Sequence, residues 1–499
     1  MSSMTAAELQ ETFQISREEW RRIATGTGMI KPINPQHSGG VTTWPVTAFA
    51  RWLAAHQPDL AGHIPHLLRP AGKITQHYHG GTYTTSEPSG FPYEHFAGHW
   101  RTGYGRLVIV YPRRNPFGLE DPLAHHPDAT TAVVIQNERG LHGLPDLKAT
   151  DRLHPGLVYE PSWSEVAAHI GGPVPWWPSA LQRRELLVAW TPGQQPEAVE
   201  VLTERRWESL YDMALREAEA TPVRVACFSI GYEIREQAVG FVEREIAQLT
   251  SSDSSEPADW AAERASLTIP VFPPRDDPGQ RETGSLETIR EGVAQLWRRT
   301  DDLAVECLHE IISWSDRYAP FGDAFSVASG RETTDAGREW IRRLRDVEPT
   351  AIHRAMGQNR GEITGTLIDP ATGSPVVAEK SYSLSRQAVE TSYHSYAPRH
   401  LPAGSVIDEV ILDEPVWVRT VDGTLYPLPP LGEADASFAY SGSGPGALAR
   451  VIGRLLDDGS AHTLADSDGE PNLRAFLETD RPSGTCLSRR RLEEVRGRG

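Results

Sequence analysis

Cysteine, lysine and long apolar runs are scarce in this chain of 499 residues. Its three cysteines, Cys227, Cys307 and Cys486, are far apart, are odd in number and lack metal-ligand spacing. That excludes a disulfide framework and a cysteine-based zinc site, and it fits a reducing compartment. No run approaches the eighteen apolar residues of a membrane span, and no basic-then-apolar leader opens the sequence. The expectation is therefore a cytoplasmic protein with no membrane partner. Lysine occurs only at Lys31, Lys73, Lys148 and Lys380 among 49 basic residues, an arginine bias typical of a GC-rich bacterial genome. The formal charge of −18 excludes a surface that wraps a polyanion as a whole, so any contact with nucleic acid must be local. What is present suffices for about three ordinary globular domains, since 39% of the residues are hydrophobic.

The first seventy residues carry the strongest pattern. Thr5 with Glu8, and Ser16 with Glu19, are two capping boxes eleven residues apart, each opening a helix. Leu9 and Phe13 stripe the first helix, Trp20 and Ile23 the second, and a tight turn around Gln14 and Ile15 joins them. Gly26 and Gly28 stop the second helix. Pro32, Pro35, Gly39 and Gly40 then interrupt a stretch ending in Val41, Thr42, Thr43 and Trp44, which reads as a wing hairpin. Phe49, Trp52 and Leu53 stripe a third helix running to about Gln57.

Over about residues 5 to 57 this order resembles the excisionase and MerR-like winged helix-turn-helix family. The resemblance implies a second helix in the major groove, offering Arg17, Arg21 and Arg22, with Lys31 and a nearly uncharged wing beside the phosphates. Residues 1 to 70 hold six cations against five acids, a net of about +1 and a faint electrostatic footprint for a DNA reader.

Punctuation organises the rest. Residues 71 to 105 read as a long irregular connection opening a central α/β domain over 71–250. Apolar runs at 107–111, 132–135, 186–190 and 223–230 are read as strands of a mixed sheet, and Trp207 to Leu215 and Phe241 to Leu249 as covering helices. A polar stretch at 251–257 begins a linker over 251–284. A helical segment follows over 285–360, with a hairpin or one long helix across 285–317 suited to oligomerisation. A β-rich segment over 361–414 contains a hairpin turn at Asp369 to Gly373, and a second turn follows at Asp422 and Gly423.

Residues 415–499 complete the chain. There 437–440 reads as a strand, Gly442, Ser443, Gly444 and Gly446 as a tight loop, and Ala447 to Leu456 as a helix. Over about 415 to 480 this is similar to a small uncharacterised domain of prokaryotic and mobile-element proteins, marked by a Gly-Tyr-Gly-Gly-Ser-Gly-Pro turn, and the likeness implies no activity. A glycine loop at a helix N-terminus can cradle an anion, although this one has neither P-loop nor dinucleotide spacing, and such glycines more often serve close packing. The arginine-rich end, Arg481, Arg489, Arg490, Arg491, Arg496 and Arg498, reads as a disordered basic or solubilising tail.

Two further groups bear on chemistry. His77, His79, His95 and His99, with His63 and His66 upstream, are the residues that would supply imidazole ligands to a metal. No cysteine lies nearby and histidines in such segments more often make hydrogen bonds, so no metal or cofactor is expected. Cys227 and Ser229 lie in an apolar run and read as buried structural residues rather than nucleophiles.

The sequence thus describes a multidomain α+β protein: a winged helix-turn-helix, a central mixed α/β domain, a helical segment and a small C-terminal α+β domain. Its leading functional reading is a non-enzymatic, regulatory or accessory DNA-associated protein of a bacterium, plasmid or phage. The alternatives are an oligomeric assembly protein of a defence, plasmid or phage structure, which uses the winged fold for protein contacts, and a nucleotide- or phosphate-processing enzyme on the central domain.

Overall fold

The computed structural model describes residues 3–25, 29–32, 42–71, 77–86, 93–114, 122–139, 144–250, 258–274, 284–330, 332–358, 360–383, 388–433, 436–464 and 470–497. It is a mixed α+β chain dividing into two compact units, Met1–Glu204 with Gln237–Asp276, and Arg205–Glu236 with Asp277–Gly499. Among the described residues no helix is long and apolar enough to cross a membrane.

In the first unit, strand Ser3–Thr5 leads into helices Ala6–Thr12 and Arg17–Thr25, and strand Thr43–Pro45 into helix Val46–His56. Both capping boxes form: Glu8 and Glu19 accept the backbone N–H of Thr5 and Ser16 at 2.7 and 2.8 Å. Gln14 takes a left-handed φ of 52° in the turn between the two helices. Leu9, Phe13, Ile23, Phe49 and Leu53 are buried together, and Trp20 lies against both Trp44 and Phe49. Thr43–Pro45 pairs antiparallel with the opening strand Ser3–Thr5. The remaining expected wing residues, Pro35, Gly39, Gly40 and Val41, and the stop glycines Gly26 and Gly28, lie outside the described residues.

Five strands form the larger sheet of this unit in chain order: His77–Ser86, Tyr93–Thr102, Gly105–Arg114, Thr131–Arg139 and Pro145–Asp151. Only the pairing of Gly105–Arg114 with Thr131–Arg139 is parallel. The expected irregular connection over 71–105 is thus corrected to two strands. Its glycines, which looked like breakers, make room for rings: a Cβ on Gly81 would meet Phe96 at 2.3 Å, and one on Gly98 would meet Trp100 at 2.4 Å. Two other strand expectations become helix, Arg184–Ala189 and Pro222–Thr250. Over 223–230 Val223, Ala226, Cys227 and Ile230 are buried at a spacing of three and four, with Phe228 buried beside Cys227, which is a helical face and not an alternating one.

The stretches 251–257 and 275–283 lie outside the described residues, but residues 258–274 of the expected linker are structured. Helix Ala258–Ala265 is followed by strands Leu267–Thr268 and Val271–Phe272, which pair in parallel with Val174–Pro175 and Glu197–Ala198.

The second unit opens its helical part with Leu286–Trp297 and Asp302–Trp314. One long helix is excluded, because Asp301 caps the second helix by accepting the Ala304 N–H at 3.1 Å. An antiparallel five-stranded sheet has the order Ala324–Ser329, Ala388–Tyr396, Pro375–Ser383, Glu362–Ile368, Arg345–Asp346. The turn at Asp369 to Gly373 joins two of these strands, as its sequence predicts. A four-stranded antiparallel sheet follows, in the order Leu425–Pro427, Trp417–Thr420, Ile407–Leu412, Thr485–Ser488. Helices Ser443–Asp457, Pro471–Leu477 and Arg489–Arg496 share its core through Leu448, Ile452, Leu473 and Leu492.

Residues 437–440 are not a strand. Nor is the arginine-rich end a disordered tail through 497: Leu492 and Val495 bury one face of its helix, while Arg489 and Arg490 pair with Glu493 and Glu494, and Arg496 with Asp457. Arg481 lies over the Phe476 ring, and Arg498 lies outside the described residues.

Candidate nucleic-acid interface

Helix Arg17–Thr25 has two chemically distinct faces. Ile23 is buried and Trp20 half-buried against the aromatic core, which fixes the rotation of the helix. Arg17, Arg21 and Arg22 are left exposed, and Lys31 is exposed beyond the helix. None of the four makes an ion pair among the described residues. The other two cations of the first seventy residues are committed. Arg51 forms a bidentate pair with Glu165 at 2.7 and 2.8 Å, and Arg69 donates to the carbonyls of Ile64 and Gly62 at 2.6 and 2.7 Å.

The neighbouring acids are partly occupied too. Hydrogen bonds from Thr5 hold the Glu8 carboxyl below its ordinary pKa, and those from Ser16 do the same for Glu19. Both carboxylates therefore serve helix N-termini, where they offset the partial positive charge of the helix end. An exposed arginine face remains that can reach phosphates or base edges.

The module rests on a buried polar hub that its own sequence did not reveal. Asp151, 1% exposed, accepts the backbone N–H groups of His66 and His154, each at 3.0 Å. His66 Nδ1 lies 2.9 Å from the Thr131 hydroxyl, and His154 packs edge-on against Phe13. Burial lowers the pKa of both imidazoles. The residues of this hub are spread over ninety positions, so only the fold brings them together.

The histidines considered for a metal are divided. His77 and His79 are exposed, whereas His95 is buried with its Nε2 3.2 Å from that of His126, and His99 Nε2 lies 2.9 Å from the Thr82 hydroxyl. Burial holds His95 and His126 down to a pKa of about 4, with nearby imidazoles adding to the shift. These are neutral hydrogen-bonding rings at neutral pH. Among the described residues no three His, Cys, Asp or Glu side chains are grouped to hold a metal. His126 lies thirty-one residues from His95, so no local spacing in the sequence points to the pair.

At the glycine loop, Gly444 and Pro445 are buried in the first turn of Ser443–Asp457, Ser443 is exposed, and a Cβ on Gly442 would meet the Tyr440 ring at 2.5 Å. Arg474, paired with Glu478, lies close to Gly446. Close packing accounts for Gly442. Cys307 donates to the Ser209 carbonyl at 3.2 Å, and Cys227 is buried in its helix with its thiol pKa pushed well up by Cys307 and by burial. A nucleophilic Cys227 would need the opposite shift. The chain matches no protein-family model, no curated protein and no solved structure.

Proposed function

We propose that this chain is a non-enzymatic DNA-associated protein of a bacterium, plasmid or phage, regulatory or accessory in role, that engages DNA through a winged helix-turn-helix at its N-terminus. The observation that supports this most is the face of Arg17, Arg21 and Arg22, exposed and without an ion-pair partner among the described residues, on the second of two capped helices. Lys31 extends the same patch of uncommitted charge in sequence. Arginine suits the role because its planar fork can bind phosphate or guanine in two hydrogen bonds. With the rest of the chain acidic, binding is confined to this face and is sensitive to salt.

The test replaces Arg17, Arg21 and Arg22 together by alanine. All three are exposed, so the fold and its unfolding midpoint stay unchanged while affinity for duplex DNA falls. Removing three of four cations should reduce the slope of log affinity against log salt from about −3.6 to about −0.9. Undiminished binding by the folded triple variant would refute the assignment.

A further inference from the structure

In the second unit, a cleft of about 700 Å³ runs beside strand Ala324–Ser329. All five residues from 324 to 328 line it. Successive side chains of a strand point to opposite faces, so a cavity over one face would touch only alternate residues. Five in a row place the cleft along the edge of the strand.

That edge is open. Among the described residues Ala324–Ser329 is the terminal strand of its sheet, paired on one side only, with Ala388–Tyr396. Its hydrogen-bonding phase can be read from two contacts. The Ala397 N–H donates to the Asp323 carbonyl, so the backbone of 323 faces the ladder and, by alternation, 325, 327 and 329 do as well. The Ala328 carbonyl instead accepts the Thr333 hydroxyl at 2.6 Å, on the outer side. The backbone groups of Ala324 and Ser326 therefore point outward along the cleft.

Edge strands are ordinarily blunted by lysine, proline or a bulge. This one, Ala-Phe-Ser-Val-Ala-Ser, has none of them, and its register with Ala388–Tyr396 is unbroken. The charged residues lining the cleft among the described residues are all acidic: Glu332, Asp413 and Glu414. Asp413 is fixed by the hydroxyls of Thr334 and Ser483 and by the Trp417 indole, and Glu332 is engaged as well, whereas Glu414 is exposed and supplies the charge an incoming cation would meet. Phe325, Pro415 and Phe438 supply apolar wall.

We propose that this cleft takes an extended peptide carrying Lys or Arg, which adds to Ala324–Ser329 as a further antiparallel or parallel strand. Outward N–H and C=O groups supply the main-chain bonds, and the acidic wall selects the charge. The cleft belongs to the second unit and the arginine face to the first, and the test is independent of DNA binding.

The probe is a fluorescein-labelled peptide, Lys-Val-Lys-Val-Lys-Val-Lys, titrated with the full chain by fluorescence anisotropy. Three comparisons accompany it: the same peptide N-methylated at alternate amides, a version with Glu in place of Lys, and the Ser326→Pro variant. Ser326→Pro deletes one outward N–H and leaves the ladder to Ala388–Tyr396 intact. Saturable binding of the lysine peptide, weakened about tenfold or more by N-methylation, by Glu and by Ser326→Pro, is the expected result. Where Ser326→Pro fails to fold, the N-methylated peptide alone decides. Binding left unchanged by N-methylation, equal binding of the Glu peptide, or none up to about 1 mM overturns the proposal. A dimer in light scattering that Ser326→Pro disperses also overturns it, by giving the edge to a second copy.

Discussion

Replacing Asp369 by asparagine removes one oxygen and one charge while keeping the shape of the side chain, and it separates two roles that this residue combines. Oδ1 accepts the Ala371 N–H at 3.0 Å and so closes the hairpin turn that ends at Gly373. Oδ2 accepts the Trp340 indole at 3.1 Å and the Arg343 guanidinium at 2.6 Å, anchoring helix Asp335–Arg343. The carboxylate is 1% exposed and the Arg343 side chain 19%. Breaking a buried pair costs about 3–5 kcal/mol, and the lower end applies because Arg343 also donates to the Leu425 carbonyl and keeps some water.

The amide of the Asp369→Asn variant can keep the turn bond through its oxygen, but its NH₂ then faces two donors. Asp369→Asn should therefore cost about 3 kcal/mol, and Asp369→Ala about 1 kcal/mol more through loss of the turn bond. The assay is urea unfolding followed by tryptophan fluorescence, to which Trp340 contributes directly. The transition of the second unit should move to lower urea with unchanged slope. Were Asp369 only a turn residue, asparagine would substitute freely. An Asp369→Asn midpoint within about 0.5 kcal/mol of wild type would refute the anchoring role.

Two further predictions concern packing and protonation. Gly292→Ala ought to stabilise an exposed helix by about 1 kcal/mol, but here a Cβ would lie 2.1 Å from the Pro222 carbonyl oxygen and 2.7 Å from the Ala226 Cβ. The substitution should instead destabilise by about 1–3 kcal/mol in urea, and a gain in stability would contradict the close approach. His95 and His126 are held near pKa 4, whereas in the unfolded chain they titrate near 6.5. Between those values the unfolded chain binds protons that the folded one does not, so stability falls as pH drops from about 6.5 to about 4 and this contribution then levels off. A His95→Gln, His126→Gln double variant should flatten that fall in a pH series of urea midpoints, and an identical pH dependence would contradict the burial argument.

Much of the local punctuation was legible in the sequence, because its physics is local. Thr5 with Glu8 and Ser16 with Glu19 form the bonds that their spacing predicts, and Asp369 to Gly373 turns where expected. Long-range choices were not legible. The apolar runs at 186–190 and 223–230 satisfy helix and strand equally as composition, and burial at Leu187 and Trp190, or at Val223, Ala226 and Ile230, is decided by what packs against them. Gly81 looked like a loop residue because Phe96, the ring that fills its space, lies on the neighbouring strand, and the space at Gly98 is filled by Trp100 two residues along the same strand. The arginine-rich end looked disordered because its anchors, Leu492 and Val495, are only two among many charges. For the candidate interface, helical periodicity indicated that Arg17, Arg21 and Arg22 avoid the core. That Arg51 is committed elsewhere required the fold, since Glu165 is 114 residues away, whereas Arg69 is held by the Ile64 and Gly62 carbonyls within its own segment.

The most direct test of DNA association is fluorescence anisotropy of the intact protein with a labelled random-sequence duplex, titrated at increasing salt. Four uncommitted cations predict a log–log slope of about −3.6, so that affinity falls on the order of a hundredfold between roughly 50 and 200 mM salt. Absence of binding at low salt, or binding indifferent to salt, would contradict the account.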